Sequence, residues 1–352
     1  MKRKSITPAY YKDFLCKGSE CSENCCIGWK IEIDGESLKK YAEIGGELGA
    51  DLRENIISDG SSSHFCLKNG RCAFLDESNL CRLISTLGED ILCDICREHP
   101  RFYIGFPGGD FLGVGLCCEA AADLVLSEKS HSGYGLSRPE IMREAISLLD
   151  GDDGSYDSEI YERTLECLKE VEESIHRGED LSSVCGLIMG STRALQAKID
   201  EALYGIPAFD DLDGSFEKIS LCDFISDLEG LEYLTDEICE RLSRVNPDTV
   251  GDFYIANPEF KGYLGACVTY FADRYILRAA EDMDAEGKGN LVLCLTATLC
   301  LLLTTAEESS LVGARKICTL ISRELEYNEE NAERLSQRDA SGLVEAIKKI
   351  GL

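Results

Sequence analysis

The chain is short of positive charge. Against 65 Asp and Glu it carries 36 Lys and Arg, a formal net charge of -29 over 352 residues. An acidic surface repels phosphate backbones, which argues against nucleic-acid binding driven by bulk electrostatics. The same sign favours a basic or ammonium-bearing partner. Also missing is an apolar run of bilayer length. The longest runs from Leu291 to Thr305, about 22 Å of helix against a hydrocarbon core of ~30 Å. Four of its residues are Thr, and it reads as a buried core helix. Met1-Lys2-Arg3-Lys4 looks like the start of a signal peptide, but Tyr10, Lys12 and Asp13 follow where an apolar segment is required. These absences predict a cytoplasmic protein without a membrane span.

No internal repeat is visible, and no glycine-rich dinucleotide fingerprint. Gly113-Val114-Gly115 comes nearest, but Cys117-Cys118 takes the place of the third glycine, so it reads as the end of a strand. The composition, 44% hydrophobic and 29% charged, is that of a globular chain with enough apolar surface to offset the ordering entropy.

What is abundant is cysteine, 19 in all, unevenly spread. Residues 1–118 hold 11 of them, with 14 Lys and Arg against 18 Asp and Glu. The other 234 residues hold 8, with 22 basic side chains against 47 acidic ones. A cysteine-dense, nearly balanced head thus precedes an acidic tail. In a reducing compartment such density points to metal or redox chemistry rather than to a disulfide framework.

In the head, Trp29, Ile31 and Ile33 alternate with Lys30 and Glu32, which predicts a half-buried strand. Phe111 to Leu116 is a second strand candidate, weakened by its glycines. A helix is expected over 37–44, a polar loop at 59–63 and a short helix over 120–126. Beyond it, 130–139 reads as a linker, 140–149 as a helix started by Pro139, and 150–155 as a loop. Tyr161, Leu165, Leu168, Val171 and Ile175 mark an amphipathic helix. Further helices are expected near 180–204, 219–244, 259–281, 291–306, 307–327 and 329–349, with loops at 205–215 and 282–290. The eight later cysteines sit singly in these helices, as small hydrophobes of the core. The fold class is therefore mainly α. An irregular cysteine-rich, metal-binding head with a short β-hairpin (1–127) precedes an acidic all-α domain (128–352).

The head cysteines fall into three groups: Cys16-x4-Cys21-x3-Cys25-Cys26; then Cys66, Cys72 and Cys81; then Cys93-x2-Cys96 and Cys117-Cys118. Short spacings bring sulfurs to one ion without long loop closures. Thiolates suit zinc or an iron–sulfur cluster, and the choice stays open at this level. Only Cys93-x2-Cys96 has the form of a zinc knuckle, and Cys21-x3-Cys25-Cys26 breaks the three-cysteine pattern of radical-type clusters. Cys93-x2-Cys96 also lacks the βαβ setting of a thioredoxin motif. Arg97 and Arg101 stand where they can offset thiolate charge, and His64 and His99 are further candidate ligands. Trp29 reads as core.

Several motifs together carry a resemblance. They are Pro8-x-Tyr10, Phe14-x-Cys16, Cys21-x3-Cys25-Cys26-x-Gly28-Trp29, Ile33-Asp34, Cys72-x-Phe74-Leu75, Leu80-Cys81-Arg82, Cys96-Arg97-x2-Pro100-Arg101 and Cys117-x-Glu119-Ala120-Ala121. Over residues 8–127 the chain resembles the flagellin lysine-N-methylase family, itself related by its cysteine cluster to zinc- or iron-chelating domain proteins. Lys261-Gly262-Tyr263-Leu264 is loosely similar to the family's tail. The resemblance implies transfer of methyl groups from S-adenosylmethionine to flagellin lysines in the cytoplasm, before export. It also implies an iron–sulfur cluster, with zinc as the alternative, held by cysteines among Cys16, Cys21, Cys25, Cys26, Cys72, Cys81, Cys96 and Cys117. Cys66, Cys93 and Cys118 are additions to the family pattern. Lysine methylation needs a neutral amine aligned with the methylsulfonium carbon, and Tyr10, Tyr103 and Glu119 are candidate proton acceptors. The reading from another class is a non-catalytic metal-binding or redox-sensing protein whose helical tail binds a partner.

Overall fold

Ile31 and Ile33 are buried and Lys30 and Glu32 exposed in the computed structural model, the two-faced pattern expected of a strand. The structure describes residues 4–22, 24–106, 109–127, 158–205, 220–308 and 310–352. The Ile31–Ile33 stretch lies along the hairpin of β2 (Ile56–Ser58) and β3 (Ser63–Phe65). The Ile33 amide donates to the Ser63 carbonyl at 2.8 Å and the Phe65 amide to the Ile31 carbonyl at 3.1 Å. It pairs as an isolated bridge, Glu32 with His64, rather than as a full ladder.

Two helices cover this hairpin. Asp34 caps α1 (Gly35–Glu43) by accepting from the Ser37 amide at 2.8 Å, which satisfies an orphan donor of the first turn. Helix α2 (Gly46–Asn55) follows at once. Together they bury Tyr41 and Leu52 against Ile31, Ile33, Phe65, Phe74 and Leu83. The Phe65 and Phe74 rings meet edge-on at 5.2 Å. A two-residue pair, β4 (Leu67–Lys68) with β5 (Arg71–Cys72), and the short helices α3 (Arg82–Leu87) and α4 (Asp94–Glu98) complete the unit.

Strands β6 (Arg101–Phe106) and β7 (Gly109–Val114) pair antiparallel from Arg101–Val114 to Phe106–Gly109. Strand β1 (Lys4–Ile6) adds parallel to β7. This sheet, and α5 (Glu119–Leu126) after it, send Ile6, Ile104, Phe111, Leu116 and Val125 into the core of the helices that follow. Apolar packing thus groups residues 101–126 with the helical body, while residues 31–93 close a smaller core of their own.

The body holds α6 (Ser158–His176), α7 (Leu181–Tyr204), α8 (Leu221–Glu229), α9 (Glu237–Leu242), α10 (Val250–Ala256) and α11 (Glu259–Tyr275). Then come α12 (Ala285–Leu303), α13 (Leu311–Ile321), α14 (Glu329–Ser336) and α15 (Ser341–Lys349). The mainly α class expected from sequence holds. On α6, Tyr161, Leu165, Leu168 and Val171 are buried, as their spacing predicts. Helix α12 is the centrepiece, packed on α7, α11, α13 and α14. It has the length and composition of a membrane span, but 83% of its apolar window is buried inside the protein.

Three expectations need correction. The loop expected at 282–290 is mostly the start of α12. Asp284 caps it, accepting from the Gly287 amide at 2.9 Å, and Gly289 is there for packing rather than for a turn. A methyl group at Gly289 would lie 2.2 Å from the Thr192 hydroxyl on α7. The single helix expected over 219–244 breaks between α8 and α9, because buried side chains claim the intervening backbone. Glu324 accepts from the Leu234 amide at 2.6 Å, and Asn331 both accepts from the Glu232 amide and donates to its carbonyl. The expected helix over 329–349 is likewise interrupted between α14 and α15. The elements expected at 130–139, 140–149 and 150–155, and most of the loop at 205–215, lie outside the described residues. Gly289→Ala should lower stability by about 2 kcal/mol through overpacking, seen as a lower urea midpoint with an unchanged slope.

Candidate functional site

Sulfur gathers at the edge of the small core. Cys72 and Cys93 belong to that core, and Cys26, Cys81 and Cys96 pack against it. Backbone bonds bring them there from distant stretches. The Cys72 amide donates to the Cys26 carbonyl at 2.8 Å, and Leu75 bridges to Cys81. Cys81 and Cys93 occupy the N-cap positions of α3 and α4. Within the group the thiols interact in pairs. Cys25 is pulled down to about 7 by a hydrogen bond with Cys26, whose own thiol is pushed up by that contact. Cys93 is pulled down to about 7 by a hydrogen bond with Cys96, which is pushed up in turn. Burial raises Cys72 to about 11 and raises Cys81. The structure therefore favours a thiolate on one member of each pair. As the side chains stand, no group of three or more His, Cys, Asp or Glu among the described residues is ready to hold an ion.

Of the eight cysteines singled out by resemblance, Cys25, Cys26, Cys72, Cys81 and Cys96 converge here. Cys93 joins them, and its signal was the Cys93-x2-Cys96 spacing. Cys16 is exposed and accepts from the Gly18 amide, and Cys21 reaches Glu119 at 3.7 Å. Cys118, the N-cap residue of α5, feels the charges of Cys25 and Cys16, so these residues form a rim. Cys117 faces the body instead, beside Tyr327, and burial lifts it to about 12. Cys66 turns to the Leu67 carbonyl. Most later cysteines are buried in the body, though Cys222 is exposed. Cys267 on α11 and Cys318 on α13 place their sulfurs 3.6 Å apart, a pairing across helices that spacing does not reveal.

The candidate proton acceptors separate cleanly. Glu119 is buried and fully engaged. It pairs with Lys17 at 2.7 Å and Arg315 at 3.4 Å, and accepts from the Ser22 amide and hydroxyl at 2.7 Å. These partners hold its carboxyl down at about 2 against the opposing effect of burial. Tyr103 is 47% exposed and bonds Glu98 at the surface. Tyr10 borders a cavity of about 600 Å³ between the end of α6, the start of α7 and one face of α11. Arg97 pairs with Asp94 and Glu98, and Arg101 lies over the Phe14 ring, so neither is devoted to thiolates.

Between thiols and cavity lies a band of aromatic and charged groups. Trp29 is half-buried and donates to the Cys25 carbonyl at 2.6 Å. Its ring lies 5.9 Å from His99, whose ring lies 6.5 Å from Tyr327. His99 Nε2 is buried without a hydrogen-bond partner, and burial pulls the imidazole down to about 4. His64 sits apart, on β3. Arg274 packs its guanidinium over Phe102 and Tyr327, donates to the Tyr270 hydroxyl at 2.6 Å and lies 3.6 Å from Glu326. Glu326 ends a π-helical turn, Ser322–Glu326, after α13. Gly115 makes room for Tyr327, whose hydroxyl would lie 2.3 Å from any Cβ there. Of the glycine pair read as a weakened strand end, Gly115 thus serves close packing against the body, and Gly113 makes room for Phe102 on the neighbouring strand.

Over 155 residues the chain is 32% identical to the flagellar biosynthetic protein FliU of Salmonella muenchen, a match covering 41% of this chain and 92% of that one. The chain belongs to the flagellin lysine-N-methylase family. Two relatives named lysine-N-methylase, from Salmonella choleraesuis and Salmonella typhimurium, are 30% identical over 155 residues. Those matches cover 42% of this chain and 38% of each relative, so the chain spans well under half the length of these longer family members. No family model matches the chain. No solved structure matches it either.

Two outcomes follow for this family member. Glu119→Gln should cost about 2 kcal/mol, since Lys17 and Arg315 lose a buried counter-charge, and should speed proteolytic cleavage between Cys16 and Ser22. His99 folds with a proton affinity below its unfolded value of 6.5. Its contribution is therefore intact above that pH and is lost as pH falls toward about 4, by at most about 3 kcal/mol. Urea titrations near pH 7 and pH 5 should show a smaller loss of stability in His99→Phe than in the parent chain.

Proposed function

We propose that the chain is a protein lysine N-methyltransferase that modifies flagellin in the cytoplasm, with S-adenosylmethionine as methyl donor and a cysteine-held iron–sulfur centre. The observation that carries this reading is the match to FliU along nearly its whole length, with relatives named lysine-N-methylase beside it. The head's chemistry supports the metal centre. Its donors are soft sulfurs, two of them poised to ionise near neutrality. Cys25, Cys26, Cys72, Cys81, Cys93 and Cys96 would hold the centre, which supplies redox or Lewis-acid capacity when bound. Zinc is the alternative occupant of the same donors.

Methyl transfer asks something else of the chain. The lysine nitrogen, deprotonated, attacks the methyl carbon. The bond from carbon to sulfur breaks, and its electron pair stays on sulfur as a neutral thioether. The protein must take one proton from the lysine ammonium, align the resulting neutral amine with the methylsulfonium carbon and exclude water. Of the three candidate acceptors, Tyr10 alone borders the cavity. Glu119 is committed to ion pairs and Tyr103 to the surface.

Anaerobically prepared protein, incubated with S-adenosylmethionine and flagellin, should raise the intact mass of flagellin by whole methyl increments. No gain with a fully loaded centre and several flagellins would overturn the enzyme reading. Cys72→Ser and Cys96→Ser should lose bound metal, while Cys222→Ser and Cys300→Ser retain it. A colourless, zinc-loaded protein that methylates would replace iron–sulfur by zinc.

A further inference from the structure

The cavity beside Tyr10 has no part in the cysteine chemistry, and its lining is specific enough to name a ligand. Its volume of about 600 Å³ falls in the range of ~300–1,000 Å³ typical of sites for drug-sized molecules. A lysine side chain alone would leave most of it empty. One wall is the small-residue face of α11, where Gly262, Gly265 and Ala266 leave open space. A methyl group built on Gly265 meets a single neighbour, Ile175 on α6, at an ordinary 3.6 Å. Aliphatic side chains such as Val125, Val184 and Val268 line much of the rest.

The polar groups have one predominant sign. Glu172, Glu179, Asp180 and Asp273 outnumber Lys261 and His176. Glu179 and Asp180 are exposed on the solvent side, while Asp273 is buried with Tyr270. Tyr10 adds an aromatic side chain, whose face attracts cations, while the Tyr270 ring already holds the Arg274 guanidinium 6.0 Å from its centre. An apolar chamber with excess carboxylates disfavours nucleotides carrying phosphate and favours a flat apolar body bearing positive charge. The adenosyl sulfonium of S-adenosylmethionine has that chemistry. Tyr270 also reaches from the cavity toward the head, since its hydroxyl accepts from the Leu116 amide at 3.3 Å, next to Cys117.

Building on the methyltransferase reading, we propose that this cavity binds the methyl donor, with Asp273 and Tyr10 selecting the sulfonium and the α11 glycines admitting the adenosine. Tyr10 then borders both the donor chamber and the segment leading to the cysteine loop.

Calorimetric titration of the full, metal-loaded chain with S-adenosylmethionine tests this. Gly265→Phe, which fills the chamber, should weaken binding at least tenfold with metal content and melting temperature unchanged. The chain should prefer the sulfonium over S-adenosylhomocysteine, a neutral thioether, and Asp273→Asn should narrow that preference several-fold. Should Gly265→Phe fail to fold, hydrogen exchange on the unaltered chain decides, with protection by the donor expected at 172–184 and 261–273. Donor binding that survives Gly265→Phe, or protection elsewhere, overturns the cavity assignment and leaves the methyltransferase reading intact. Absence of both donor binding and methyl transfer sinks the two together.

Discussion

A buried carboxylate must find partners, and Glu119 finds them on two other parts of the chain. Lys17 and Ser22 come from the N-terminal cysteine loop, and Arg315 comes from α13 in the helical body. Asp123, one turn further along α5, shares both cations. In low dielectric such a group is stable only when every member is present. The loop bearing Cys16 and Cys21 is therefore held to the body by charge rather than by apolar burial. That suits its sequence, which between Cys16 and Cys26 contains no large hydrophobic residue.

The second contact between the parts runs through Arg274. Its charge is buried, yet Glu326 and the Tyr270 hydroxyl give it polar partners, and Phe102 and Tyr327 stack on its faces. Such surroundings make a desolvated guanidinium tolerable. The same Tyr327 abuts His99 and Cys117, so one band of rings separates the thiols from the cavity.

Much of this was legible in the sequence. The spacing of Tyr161, Leu165, Leu168 and Val171 marked α6 because a single face is buried, and Ile31 and Ile33 marked their extended stretch for the same reason. The errors have a common cause. Gly287 and Gly289 look like a loop until the Asp284 cap is found over the first and Thr192 against the second, and the break at 230–236 depends on Glu324 and Asn331, far along the chain. The role of Glu119 was hidden likewise, since a charge in the first turn of a helix already has a sufficient local explanation. No local pattern could have shown the cavity. Its walls come from Tyr10, α6, α7 and α11, each contributing residues ordinary in their own helix.

The two apolar cores carry one more consequence. Residues 31–93 enclose Cys72 and Cys93 in a core of few large side chains, while α12 anchors a far larger one. Units of such unequal content open with unequal free energies. The head is the weaker foldon, able to loosen while the body stays closed. Access to its deepest sulfurs is thus set by a local opening, and the thiols of the body, Cys267 and Cys318 among them, are spared it.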